Sequence, residues 1–299
     1  MLENHLGEIA ALATALCWAA NALFFQDAGR RVGSFAVNFI RIYLGLLFLS
    51  IFTWITRGLF LPIDASAHAW LWLGLSGLIG VVIGDLMLFE AFVVVGGRVS
   101  MLIMSLVPII TAIISWLILG ETMTALEIFG MIITIIGVCM VILERQEGSS
   151  LFQFRHPVAG VLFAFGGATG QAIGLVLSKL GMGDYNAFAA TQIRLIIGCI
   201  GFLIIIIIIK KWPDVLKTFT NKKALRSVVA GSFVGPFLGI SLSLVAVKFT
   251  RAGIASTIIA ISPVIIIPFS IAFFNERVTL LEILGAIISV GGVSIYFLS

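Results

Sequence analysis

Two stretches of this chain, residues 106–143 and 261–298, repeat one another at a constant offset of 155 residues and without a gap. Fourteen of the 38 aligned positions are identical. Matches between apolar residues arise by chance in a chain that is 61% hydrophobic, but aligned prolines, glutamates and glycines do not. The chain is therefore an internal duplication. The aligned pairs are Pro108 with Pro263, Glu121 with Glu276, Glu127 with Glu282, Gly130 with Gly285 and Gly137 with Gly292.

The composition is that of a protein surrounded by lipid. Charged residues make up only 11% of the chain, and the mean hydropathy is +1.20. Crossing a hydrocarbon core of roughly 30 Å takes about 20 apolar residues in a helix. The sequence divides into ten such runs, so we predict an all-α polytopic membrane protein with ten transmembrane helices. The predicted helices span residues 6–25, 35–55, 69–91, 98–118, 124–143, 157–178, 186–209, 226–247, 253–274 and 279–298.

The duplication divides these helices into two sets of five. We predict a first repeat at residues 1–145, a connecting loop at 146–156 and a second repeat at 157–299. Because five is an odd number, the second repeat enters the membrane from the opposite face, and the two repeats are inverted. Inverted repeats are typical of carriers that expose a midplane site to one side of the membrane at a time.

Basic residues favour one face of the predicted bundle. Twelve of the eighteen lie in the odd-numbered connections between helices, and the positive-inside rule then puts those connections in the cytoplasm and both termini outside. No basic surface interleaved with aromatic residues indicates a nucleic-acid partner. The absence of a glycosylation acceptor site fits a bacterial or archaeal inner membrane. The even connections carry only Arg57, Lys179, Lys248 and Arg251.

The motifs of predicted helices 3 to 5 resemble those of a known family. They are IGD at 83–85, the GGRVS turn at 96–100, Pro108, LGE at 119–121 and the pair Gly130 and Gly137, with ISPV and NERVTLLEILGAIISVGGV in the second copy. They look like EamA-type members of the drug/metabolite transporter superfamily, and the resemblance covers essentially the whole chain. It implies two inverted five-helix repeats around a cavity lined by helices 1, 3, 4, 6, 8 and 9, and a small-solute permease or exporter. It also implies cytoplasmic termini, opposite to the basic-residue count, so the orientation stays open.

Asp85 is the clearest candidate for function, since a charge inside a membrane is retained only with a partner or a purpose. It lies in predicted helix 3, and Ile240 takes its place in the second copy. Arg41 lies at a similar depth in helix 2, and its match in helix 7 is Arg194. We predict either an ion pair between Asp85 and Arg41 that serves assembly, or a substrate or proton site at Asp85. Because both repeats keep an arginine at this position, we expect the two arginines to share a structural role.

Neutral polar residues in predicted helices 1 and 6 are further candidates for substrate binding. Trp18, Asn21 and Gln171 lie in otherwise apolar surroundings, where amide and indole groups can orient a polar solute without the cost of a full charge. Alternatively, they form hydrogen bonds with neighbouring helices. Glu90, near the end of helix 3, is either a further coupling residue or an ordinary interfacial carboxylate.

Residues that both copies share are interpreted as mechanical parts. Gly80 and Gly84 in helix 3, and Gly235 and Gly239 in helix 8, form GxxxG faces that let a neighbouring backbone approach closely. Pro108 and Pro263 are predicted to kink helices 4 and 9 and to serve as hinges. Thr124 with Glu127, and Thr279 with Glu282, have the spacing of capping boxes at the starts of helices 5 and 10.

These observations favour an alternating-access carrier of small polar or amphipathic metabolites, with amino acids the leading substrates. The expected partners are that small-molecule substrate and the lipid bilayer, and the expected state is a monomer or weak homo-oligomer. We expect no enzyme activity and no cofactor or metal, because no cluster of nucleophile, acid–base or metal-ligating residues occurs. An unpaired Asp85 would indicate proton coupling, and an ion pair with Arg41 uncoupled transport. A channel, a membrane-embedded enzyme and a sensor are the alternatives.

Overall fold

The computed structural model describes residues 5–95, 100, 101, 103–144, 158–265 and 279–297. All regular secondary structure within those ranges is helical. We number the main helices so that matching helices of the two repeats differ by five. The first repeat contains α1 (Leu6–Val32), α2 (Ser34–Arg57), α3 (Ala67–Ser76, Gly77–Gly84 and Asp85–Val94, continuous), α4 (Val107–Leu119) and α5 (Ala125–Glu144). The second contains α6 (Val158–Met182), α7 (Ala187–Ile209), α8 (Lys222–Ser232, Phe233–Gly239 and Ile240–Phe249, continuous), α9 (Ala252–Ile259) and α10 (Leu280–Ser294).

The helices follow the apolar runs because only a helix satisfies its own backbone groups in lipid. Seven segments are long and apolar enough to cross a membrane, and three shorter apolar helices fall on predicted helices 4, 5 and 9. The protein is therefore a multi-pass helical membrane protein, while the number of ten crossings stays a prediction. The predicted capping boxes are confirmed, since Thr124 and Thr279 each exchange two hydrogen bonds with the glutamate three residues later.

The helices pack in pairs that the duplication relates. α1 packs on α8 as α6 packs on α3, and α9 packs on α1 as α4 packs on α6. α2 also packs on α8 as α7 packs on α3. Three contacts map onto themselves when the repeats are exchanged, namely α2 with α7, α4 with α9 and α5 with α10. The two halves are thus arranged about a pseudo-two-fold axis.

The self-matched contact of α5 with α10 depends on the glycines of the duplicated segment. A Cβ atom on Gly137 would lie 2.5 Å from the backbone nitrogen of Ser289, and one on Gly285 would lie 2.8 Å from the backbone oxygen of Gly137. A Cβ atom on Gly292 would lie 2.7 Å from the backbone nitrogen of Thr134. The two helix backbones therefore touch, which the conserved spacing of the glycines in both copies permits.

Both α3 and α8 widen into a π-helix at matching positions. The π segments are Gly77–Gly84 in α3 and Phe233–Gly239 in α8. Each contains the GxxxG pair predicted above, and the second also contains Pro236, which has no N–H to donate. π segments occur frequently at functional sites. Asp85 is the first residue after the π segment of α3, and Ile240 is the first after that of α8.

Two further features differ from the sequence expectations. Residues 210–225, expected as a plain connection, contain the short helix Trp212–Thr220, whose Val215 is buried while Leu216 and Phe219 are exposed. Pro108 and Pro263 do not kink a continuous helix: a turn at residues 105–106 precedes Pro108, and one at 260–261 precedes Pro263. Each proline lies at the start of the next helical stretch, where its missing N–H costs no helical hydrogen bond.

Candidate functional site

Close contact between α3 and α6 sets the geometry of the polar site. A Cβ atom on Gly80 would lie 3.3 Å from the Cα atom of Gly174, and one on Gly84 would lie 3.5 Å from the carbonyl carbon of Gly170. The GxxxG face of α3 thus meets a second such face on α6. Asp85 follows Gly84 directly and Gln171 follows Gly170, so the contact brings these two polar side chains together.

Asp85 is bound from two neighbouring helices. Its side chain forms an ion pair with Arg41 of α2 and accepts a hydrogen bond of 2.9 Å from the Gln171 amide of α6. Asp85 is 8% exposed and Arg41 is 7% exposed. The rings of Phe25 and Phe89 lie 5.4 and 5.8 Å from the Arg41 guanidinium carbon. A buried carboxylate that is both paired and hydrogen-bonded avoids the full penalty of leaving water.

Arg194 of α7 is the fourth charged or amide group of this cluster. It is 5% exposed and interacts with Asp85 through their charges. Among the described residues its side chain makes neither a hydrogen bond nor an ion pair, and its Nε atom is buried without a partner. The cluster therefore contains two guanidinium groups and one carboxylate. The duplication predicts one shared role for Arg41 and Arg194. The signal that separates them is Ile240, which stands where a second acid would be needed to pair both arginines.

Trp18 and Asn21 lie at the matching contact of the other half, where α1 meets the π segment of α8. A Cβ atom on Gly235 would lie 2.3 Å from the Asn21 Oδ1 atom, so only glycine fits there. A Cβ atom on Gly239 would lie 3.8 Å from the ring of the partly buried Trp18. The Asn21 Oδ1 atom is buried and has no hydrogen-bond partner in the described part of the chain. Within the described ranges, neither side chain forms a hydrogen bond with Asp85.

The remaining candidates lie outside this cluster. Glu90 is exposed and forms no ion pair or hydrogen bond with any other described residue. Pro108 is buried in the first turn of α4, and Pro263 is partly buried beyond α9. The structure thus brings together Asp85, Arg41 and Gln171, and adds Arg194 to them.

A second polar cluster, which we call the end network, closes one end of the bundle. The Glu121 carboxylate forms an ion pair of 2.5 Å with Lys179 at the end of α6 and accepts a hydrogen bond of 2.8 Å from the backbone N–H of Ala252 at the start of α9. Lys179 also donates to the backbone oxygen of Thr250 at 2.6 Å. Glu121 therefore caps α9 rather than the start of its own following helix.

The end network continues to α5 and α1. Arg251 forms an ion pair with the buried Glu127 at the start of α5 and donates to the backbone oxygen of Thr122 at 2.6 Å. The Thr250 hydroxyl donates a 2.7 Å hydrogen bond to Glu8 in the first turn of α1. These contacts join the starts of α1, α5 and α9 with the end of α6.

All four basic residues that the sequence assigns to the even connections are bonded. Lys179 and Arg251 belong to the end network, and Arg57 forms an ion pair with Asp64. Lys248 donates to the backbone oxygens of Asp184 and Tyr185 at 2.8 and 3.0 Å. These few cations therefore hold connections together at this end of the bundle, a role that the charge count alone did not reveal.

The paired packing and the buried polar cluster define a multi-pass membrane protein built from two related halves. The sequence profile of the EamA-like transporter family matches residues 5–143 and again residues 158–298. The chain belongs to this family of membrane transporters, whose members are not enzymes, and so to the drug/metabolite transporter type.

Comparison with solved structures supports the fold. A crystal structure of another protein, 17% identical in sequence, superimposes with a TM-score of 0.75 over 98% of this chain and 96% of its own. At that identity the similarity concerns the fold alone. The comparison with curated proteins gave no match.

Proposed function

We propose that this protein is an alternating-access carrier of small polar or amphipathic metabolites, with amino acids as the leading class, in a bacterial or archaeal inner membrane. It would act as a permease or exporter, as a monomer or weak homo-oligomer in the bilayer. The observation that carries the proposal is the paired packing of the halves, in which α1–α8 corresponds to α6–α3 and α2–α7 maps onto itself. Exchanging the conformations of two such halves reverses the side to which a site between them opens.

The end network supports this proposal because it joins the elements that would have to separate. Lys179 and Glu121 connect α6 with the α4–α5 connection, and Glu121 also binds the start of α9. Water hydrates the charged groups at a bundle end once their ion pairs break, so opening these bonds costs little free energy. We therefore assign to the end network the role of a gate that is closed in this structure.

The charge cluster supports uncoupled transport. Proton coupling through Asp85 would need a carboxyl group that is free to titrate, whereas Asp85 is bound to Arg41 and Gln171. The guanidinium of Arg41 favours the ionised carboxylate. We propose that cargo alone, rather than a proton gradient, drives the exchange of conformations.

Counterflow in liposomes tests the proposed function. Purified protein is reconstituted with a high internal concentration of one unlabelled amino acid, and uptake of the labelled amino acid is followed over time. A carrier gives transient accumulation that saturates with external concentration, because the same site returns loaded. Uptake that never saturates would indicate a channel, and a protein that moves no solute of a broad metabolite panel would contradict the proposal.

A further inference from the structure

Two buried guanidinium groups share one carboxylate in the cluster around Asp85. Asp85 forms its ion pair with Arg41, while Arg194 makes no hydrogen bond or ion pair within the described ranges. Asp85 is the one acid of the described ranges whose charge acts on Arg194, and it is already paired with Arg41. The cluster therefore carries an excess of one positive charge.

Such an excess is costly inside a membrane protein. Ionisable groups within membrane helices are almost always paired with each other or with backbone carbonyls, because unpaired charge is expensive at this depth. An arginine presents five N–H donors in a planar fork that matches the two oxygens of a carboxylate. The Arg194 side chain is only 5% exposed, and within the described ranges its Nε atom is buried without a hydrogen-bond partner.

We propose that Arg194 binds the carboxylate of the transported solute. The inference rests on the proposed carrier function and narrows its cargo to solutes that bear a carboxylate, such as amino acids and short organic acids. An incoming carboxylate supplies the missing negative charge and accepts hydrogen bonds from Arg194. The Nε atom of Arg41 also lacks a hydrogen-bond partner in the described part of the chain, but Asp85 already neutralises the charge of Arg41.

Position supports the assignment of this role to Arg194. The residue lies on α7, where a Cβ atom on Gly80 of the α3–α6 contact would lie 3.4 Å from the Arg194 Nη2 atom. Asp85, and Gln171 that binds it, carry oxygens that can accept a hydrogen bond from an ammonium group. A zwitterionic amino acid would therefore find a guanidinium for its carboxylate and the side chain of Asp85 or Gln171 for its amine. A simple organic acid would use Arg194 alone.

Matched ligands test the inference without any variant. Thermal unfolding of the purified wild-type protein is measured with proteinogenic L-amino acids and with lactate and succinate, each beside its carboxamide. Ligands that bind the native state raise the unfolding temperature in proportion to concentration over Kd. We expect one or more acids to raise it and the matching amides to have no effect. Amides that bind as well as the acids, or a protein that no acid stabilises, would overturn the inference.

Variants of Arg194 then test whether this residue binds the carboxylate. Arg194→Gln should weaken binding of the acid by about thirtyfold or more, Arg194→Lys should restore part of it, and Lys217→Gln on the exposed face of the Trp212–Thr220 helix should leave it unchanged. Should Arg194→Gln fail to fold, the affinity of Arg194→Lys for acid relative to amide gives the same information. Unchanged acid affinity in either folded variant contradicts the assignment.

Counterflow separates this inference from the carrier function on which it rests. Saturable counterflow of solutes that lack a carboxylate would contradict the inference and leave the carrier function intact. Absence of all counterflow would contradict the carrier function itself.

Discussion

Gly137 of α5 lies so close to Ser289 of α10 that a Cβ atom would stand 2.5 Å from the serine backbone nitrogen. The contact lies where the two copies of the duplicated segment meet, and backbone atoms rather than flexible side chains form it. A larger side chain at this position would therefore fit only if one of the two helices moved as a whole. The α5–α10 contact is therefore a close attachment of backbone to backbone between the two repeats.

We expect Gly137→Ala to destabilise the protein by about 1–3 kcal/mol, because the added methyl group forces the two backbones apart. Gly291→Ala on the same α10 is the matched control. A Cβ atom there meets nothing within 4 Å, and the change should be neutral or stabilising by up to about 1 kcal/mol. Thermal unfolding in detergent measures both. Equal unfolding temperatures for the two variants would contradict the close contact.

We expect Asp85→Asn to abolish transport and to destabilise the fold by about 3–5 kcal/mol, because two guanidinium groups then remain buried without an acid. Arg41→Ala should mainly lower the yield of folded protein. The double variant Asp85→Leu with Arg41→Met should recover much of the stability, since apolar groups can replace a buried pair, yet remain inactive. Counterflow and thermal unfolding are measured on each protein. Wild-type transport by purified Asp85→Asn would rule out a functional role for the carboxylate.

The gate role of the end network predicts that Glu121→Gln opens this end more often. The change removes the ion pair with Lys179 and weakens the hydrogen bond to the start of α9. A cysteine at Ser256, which is 4% exposed in α9, reports the opening through its labelling rate in a variant without the native cysteines. We expect about tenfold faster labelling, equivalent to a loss of about 1.4 kcal/mol. Asp64→Asn breaks a different ion pair at the same end and should leave labelling unchanged.

An imposed pH gradient should not change the rate of transport. The Asp85 carboxyl group is engaged by Arg41 and Gln171, so we propose that it does not carry a proton across with the cargo. Uptake of the labelled solute is compared in liposomes with and without a pH difference, with the membrane potential held constant. Uptake that rises with the gradient would contradict uncoupled transport.

The lowered pKa of Asp64, in the connection between α2 and α3, predicts a small loss of stability in acid. Burial raises the pKa of Asp64, but hydrogen bonds from Tyr185 and Arg57 outweigh that effect and leave the pKa below its ordinary value of 3.8. A lowered pKa means that the interaction stabilises the fold above the ordinary pKa and is lost as the pH falls through the folded-state value. Asp64→Asn should therefore unfold at a temperature less dependent on pH below about 4. Identical pH profiles would contradict a contribution from Asp64.

The sequence predicted the helical segments and their duplication because apolar length and the spacing of glycine and proline are visible in one dimension. The contact of Asp85 with Arg41 was also predictable, since both residues lie at the same depth from the same face. The helix Trp212–Thr220 was missed although Trp212, Val215 and Phe219 have helical spacing. The stretch lies between the apolar runs at 186–209 and 226–247, so the sequence predicted only a connection there.

Other features depend on contacts that no single segment encodes. The π segment of α3 lies where α3 meets α6, and that of α8 lies where α8 meets α1. The GxxxG pairs in these segments indicated close approach of the helices but did not indicate the wider π-helical turn. The end network joins residues far apart in the chain, such as Glu8 with Thr250. Similarity between the copies predicts one shared, structural role for Arg41 and Arg194, and that stays a prediction. Only the contacts show that Asp85 is paired with Arg41 and not with Arg194.

Ile240 stands where a counterpart of Asp85 would lie, so the two halves are not equivalent. An exchange of conformations between them would therefore change the free energy of the protein. In a carrier with identical halves, the forms open to either side of the membrane would be equally populated at rest. An ion pair formed within one half favours whichever form preserves it, and a bias of only about 1.4 kcal/mol gives a tenfold excess of that form. In the proposed carrier, the single acid of this cluster would therefore favour one orientation of the empty protein, and binding of the solute would have to overcome that preference.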